Sequence, residues 1–159
     1  MDRWLPIIGV LVGFLTATAG FITATVTEYF KYRRARADRR AEFQQQTLLE
    51  LQDSLAELAR ATGAAHHHTD MTFRQTGQWG TKLPPEWNQK LFDAGVRTRI
   101  LKDRVADDML RRLVEQYRQV SQRATLALSQ AEAYAAMTEF MTAIQTVNDR
   151  LGEVLRSLY

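Results

Sequence analysis

The chain contains no cysteine, which removes disulfides, thiolate nucleophiles and cysteine-ligated zinc from consideration. Histidine is nearly as scarce: the three present, His66, His67 and His68, stand side by side. No HExxH, Glu-x-x-His, P-loop, GxGxxG or GxSxG motif occurs, so zincin, di-iron, nucleotide and serine-hydrolase chemistries lack their usual residues. Helix breakers are few as well, 8 Gly and 3 Pro in 159 residues, a composition that favours long helices. A basic folded surface is also missing. The net charge of +3 resolves into +4 for residues 1–40, with 7 basic and 3 acidic side chains, and −1 for the remainder, with 14 and 15. A nucleic-acid-binding domain needs its basic face on the folded part, and no nucleic-acid partner is expected.

What is present begins with an uncharged run. No residue from 5 to 27 is ionisable. At about 1.5 Å per residue a helix of that length reaches roughly 34 Å, enough to cross a hydrocarbon core of about 30 Å. Trp4 stands at one end and Tyr29, Phe30 and Tyr32 at the other, where amphipathic rings favour the headgroup level. The basic block Lys31, Arg33, Arg34, Arg36, Arg39 and Arg40 follows. By the positive-inside bias it holds the C-terminal side in the cytoplasm, and it is also suited to anionic headgroups. The expectation is a single-pass protein of the inner or plasma membrane with its N-terminus outside. Ala17-Thr18-Ala19 has the form of a signal-peptide cleavage site, but the apolar run continues past it and the positive charge follows the run, which argues against cleavage. Gly9, Gly13, Ala17, Gly20 and Ala24, with Thr16, Thr23 and Thr27, fall on one stripe of such a helix. Small residues there let two backbones approach closely in lipid.

Beyond the membrane segment the pattern stays helical. Ala41, Gln44, Leu48, Leu51, Leu55, Leu58 and Thr62 recur at alternating spacings of 3 and 4, the spacing of an amphipathic or coiled-coil helix. Thr62 is weakly apolar and Gly63 suits a helix end, so the spacing predicts a helix over 41–62 and a connection over 63–84. On that reading the three histidines are solvated loop residues, and replacing them together leaves stability nearly unchanged. Pro85 suits the first turn of a second helix, predicted over 86–105 with the stripe Trp87, Leu91, Ala94, Thr98, Leu101 and Val105. Continuing that stripe would bury Asp108 and Arg112. A break at Ala106 to Asp108 is therefore predicted, with Asp107 capping a helix over 107–128. Ser129-Gln130-Ala131-Glu132 is a capping box opening a last helix over 130–158, with the stripe Met137, Phe140, Met141, Ile144, Val147, Leu151, Val154 and Leu158.

The expected fold is all-α: a single transmembrane helix (segment 1–30), a basic segment (31–40), and a cytoplasmic antiparallel bundle of three to four helices (41–159). The expected function is that of a membrane-anchored, non-enzymatic interaction or scaffold protein that needs no cofactor. Its expected partners are membrane lipid and either a second copy or another membrane protein. The alternative is a signal-transducing subunit that relays a change in a membrane partner or the bilayer to the bundle. An enzyme or metal-binding protein built on the histidine segment comes after both.

Overall fold

The structure, a computed structural model, describes the backbone of residues 5–80 and 82–158 and the side chains of residues 28–80 and 82–158. Among the described residues there are four helices and no strand: α1 (Leu5–Thr76), α2 (Pro85–Arg104), α3 (Asp108–Thr125) and α4 (Gln130–Arg156). The chain divides into two compact units, Met1–Glu42 and Phe43–Tyr159.

In the first unit the backbone is helical from Leu5 onward. The side chains of the apolar run 5–27, including Gly9, Gly13, Ala17, Gly20 and Ala24, lie outside the described residues. Among the described residues no helix is long and apolar enough to cross a membrane. Lys31, Arg33, Arg34, Arg36, Arg39 and Arg40 are all exposed. Their contacts are local: Lys31 pairs with Glu28 at 3.0 Å, Arg33 lies 5.9 Å from the Tyr29 ring centroid, and Arg39 Nε donates to the Ala35 carbonyl at 3.1 Å. Exposed contacts of this kind hold little energy.

The second unit is a helical bundle with one core. Leu48, Leu51, Leu55 and Leu58 of α1 pack with Ala94 and Leu101 of α2, with Val105 just beyond α2, and with Leu110, Val114, Tyr117 and Val120 of α3. Phe140, Val147 and Leu151 complete it from α4. A few polar bonds join the helices, some at the surface and some in the core. Gln44 donates to the Arg104 carbonyl at 3.0 Å and accepts from the Ala106 N–H at 2.9 Å, so one side-chain amide serves the backbone at the end of α2. Further along, the Ser54 and Thr98 hydroxyls meet at 2.8 Å, Tyr117 donates to the Leu55 carbonyl at 2.8 Å, and the Thr62 and Ser121 hydroxyls meet at 2.7 Å. Asp107 caps α3 by accepting from the Leu110 N–H at 2.6 Å, and it also pairs with Arg150 of α4 at 2.7 Å.

Several expectations need correction. The helix predicted over 41–62 runs on to Thr76, so the connection predicted over 63–84 shrinks to 77–84. Gly63 does not end it: in the middle of a helix glycine costs only about 1 kcal/mol relative to alanine. The true terminator is Gly77, with φ 71°, whose N–H bonds the Phe73 carbonyl at 2.7 Å. That left-handed conformation excludes most side chains. His66, His67 and His68 are therefore helical. The helix predicted over 107–128 ends at Thr125, and Met141, placed on the buried stripe of α4, is exposed while Ala133 and Ala136 are buried. Finally, Leu48, Leu51, Leu55 and Leu58 are covered by the chain's own helices and are not free to form a coiled coil with a second copy.

Candidate functional site

The last turns of α1 carry a polar and aromatic cluster. Asp70 is buried, and its two oxygens are fully engaged: Tyr134 Oη donates at 3.0 Å and Gln130 Nε2 at 3.2 Å, while Arg74 pairs at 2.8 Å. Burial alone would raise the Asp70 carboxyl, but the bonds from Tyr134 and Gln130 with the Arg74 charge outweigh it and hold the group below the usual carboxylate range. One turn earlier, His66 sets its ring edge against Tyr134, with centroids 5.2 Å apart and planes at 88°, and lies 6.3 Å from Trp79. Its Nδ1 is buried with no hydrogen-bond partner. Burial pulls the imidazole below its ordinary pKa, with Asp70 opposing and His67 adding to the shift, so His66 is neutral near pH 7. His67 is exposed, and the His68 ring lies 5.6 Å from that of Trp87 with the planes tilted by 35°.

His66 and Asp70 share a helix face, as their spacing of four implies. The Asp70 acceptors, however, are committed to Tyr134, Gln130 and Arg74. Among the described residues no group of three His, Asp or Glu side chains is placed to hold a metal ion. Two members of the cluster, His66 and Trp79, also line a cavity.

That cavity, about 790 Å³, is bounded by the end of α1, the 77–84 connection, the start of α2 and the α3–α4 turn. Trp79 is fixed across it, its Nε1 donating to the Ala127 carbonyl at 3.0 Å and its ring packed on Phe73 at 5.6 Å. The mouth carries Phe92, Leu126 and Leu128. These are the three most exposed large apolar side chains among the described residues, at 66%, 75% and 87%. Leu128 immediately precedes the N-cap Ser129, a position where an apolar residue ordinarily folds onto the first helical turn. Here it does not.

A second hollow of about 670 Å³ lies on the other side of the same two leucines, lined by Arg123, Glu132 and Glu139 among others. Leu126 and Leu128 thus form a ridge between two depressions. Sequence patterning places Phe92, Leu126 and Leu128 on no buried stripe and assigns them no role. The available signal was local: two leucines flanking Ala127 directly ahead of a capping box. The predicted membrane-packing residues Gly9, Gly13, Ala17, Gly20 and Ala24 and the basic residues Lys31, Arg33, Arg34, Arg36, Arg39 and Arg40 belong to the first unit; the side chains of the former lie outside the described residues. Comparison with known proteins gives no match to this chain, whether from protein-family models, curated proteins or solved structures.

Proposed function

We propose that this chain is a membrane-anchored, non-enzymatic interaction protein, whose antiparallel helical bundle lies in the cytoplasm and offers its end to a partner. The observation that carries the interaction reading is the convergence of Phe92, Leu126 and Leu128, the most exposed large apolar side chains described, on the rim of one cavity. Single exposed apolar residues are ordinary, whereas a group of them around one concave site supports the reading that something binds there. Support for the anchor comes from the sequence: an uncharged stretch at 5–27, aromatic residues at both ends, and six basic residues directly after it.

The test is topological. A reporter fused after Tyr159 is expected to be active only in its cytoplasmic form and to sediment with membranes after carbonate extraction. A fusion recovered in the soluble fraction, or active on the outer side, would overturn the anchored reading.

A further inference from the structure

We propose that α2 pairs with α2 of a second copy of this chain, through its outward ridge Phe92, Val96 and Ile100, with the two helices running in the same sense. The inference rests on the anchored interaction reading above and goes beyond it by naming the partner as a second copy.

The sequence gives α2 apolar residues on two faces. Its buried side is made of Ala94, Thr98 and Leu101, and only Leu101 among these is a large apolar residue. The other large ones point away from the core: Phe92, Val96 and Ile100 are 66%, 40% and 49% exposed. At four-residue spacing they form one ridge, about 12 Å long, on the side opposite Ala94 and Leu101. A helix that is apolar on both sides is suited to being covered on both. Phe92 also stands with Leu126 and Leu128 on the cavity rim, so the ridge continues into that exposed surface.

Ridge geometry and charge together select the occupant. Ridges of residues four apart line up where two helices cross at about −50°. Asp93 and Arg99 are both exposed, three residues to either side of Val96 and on opposite flanks of the ridge. If the crossing is centred on Val96 and the helices run in the same sense, Asp93 of each copy faces Arg99 of the other. If they run in opposite senses, Asp93 faces Asp93 and Arg99 faces Arg99. Neither charge is neutralised within the chain: Asp93 accepts from the uncharged Gln89 at 2.8 Å, and Arg99 has no partner among the described residues. The two flanking charges cancel, so the ridge favours neither an acidic nor a basic partner and is complementary to itself. Two copies inserted in one membrane with the same topology share an axis along its normal, which also relates their helices in the same sense.

Three side chains make less than a stable interface, which covers about 800 Å² of each partner. The ridge therefore joins copies that the membrane helix already holds side by side, where the effective concentration is high.

The chain has no cysteine, so single cysteines report the contact directly when the full-length protein is oxidised in its membranes. Val96→Cys and Ile100→Cys are each expected to form disulfide-linked homodimers about tenfold faster than Gln116→Cys or Gln145→Cys, exposed controls on α3 and α4. Helices in opposite senses would link at Val96 and not at Ile100. In the Val96→Cys background, Asp93→Arg or Arg99→Asp alone should slow linkage about fivefold, and the two together should restore it. Rates no higher than the controls, linkage at Val96 alone, or a double reversal that stays slow would each overturn the pairing. A photo-cross-linker at Ile100 that captures a different protein would assign the ridge to that protein and also overturn it. Ala24→Cys keeps the two readings apart. Linkage there without linkage at Val96 removes the α2 pairing and leaves the anchored reading, whereas loss of the protein from carbonate-washed membranes removes the anchor itself.

Discussion

At the scale of single residues, His66 couples packing to pH. Its ring is held between Tyr134 and Trp79, and burial lowers its pKa from 6.5. The unfolded chain therefore takes up this proton first as pH falls, and stability drops with it. The contribution is fully present above pH 6.5 and is lost as pH falls through the depressed folded-state value. The carboxyls of Asp70, Asp107 and Glu115 are also held low, Asp107 chiefly by its Arg150 bond and Glu115 by its Lys102 bond, but they act in a more acid window, below their ordinary values of 3.8 to 4.5. Denaturant unfolding at pH 7, 6 and 5 is expected to show a stability loss that His66→Phe flattens and His67→Ala retains. An unchanged slope in His66→Phe would assign the loss elsewhere. Reading the three histidines as interchangeable loop residues failed because their setting depends on where the helix ends. A partly buried ring and an exposed one are neighbours here, and nothing in His-His-His distinguishes them.

The helix end itself is decided one level up. On α1 the stripe did not stop at Thr62; it continued through Ala65 and Asp70, both buried. Thr62 belongs to the core because its hydroxyl is satisfied twice, by the Leu58 carbonyl at 2.8 Å and by Ser121 at 2.7 Å. A polar residue with its bonds made costs little in a core, so a stripe that turns polar has not ended. Sequence patterning was more informative where backbone chemistry is local: Asp107 caps α3, Ser129 accepts from the Glu132 N–H at 3.3 Å, and Pro85 stands in the first turn of α2. Gly63 gives the measurable contrast. A methyl group added there meets nothing within 4 Å, and the position is helical. Gly63→Ala is expected to raise stability by about 0.5–1 kcal/mol, while Gly77→Ala, at φ 71°, should lower it by a similar amount or more. Thermal and denaturant melts of the two variants check both signs. Equal effects would mean that α1 ends elsewhere.

For the whole molecule, the all-helical class and the bundle were legible, because apolar periodicity and the scarcity of glycine and proline act over many residues at once. The exposed apolar rim of Phe92, Leu126 and Leu128 was not. It consists of apolar residues that the fold leaves exposed, and periodicity identifies only those the fold uses. Self-association is proposed for the other end of the chain, through Gly9, Gly13, Ala17, Gly20 and Ala24. Energy transfer between labelled full-length copies in membranes should fall to background for Gly13→Ile/Gly20→Ile, since close backbone approach supplies the attraction in lipid. Leu11→Ile/Leu15→Ile, on the opposite face, should leave the signal intact. Equal transfer in both variants would remove that face as a homomeric contact. The bond from Trp79 Nε1 to the Ala127 carbonyl has a separate consequence. Trp79 and Trp87 are the only tryptophans of the second unit, one within the 77–84 connection and the other in the first turn of α2, so indole emission from the bundle is a local reporter. Loosening of that end shifts the fluorescence, whereas circular dichroism averages over all four helices. Where the two melting curves separate, that end opens as its own cooperative unit before the bundle does.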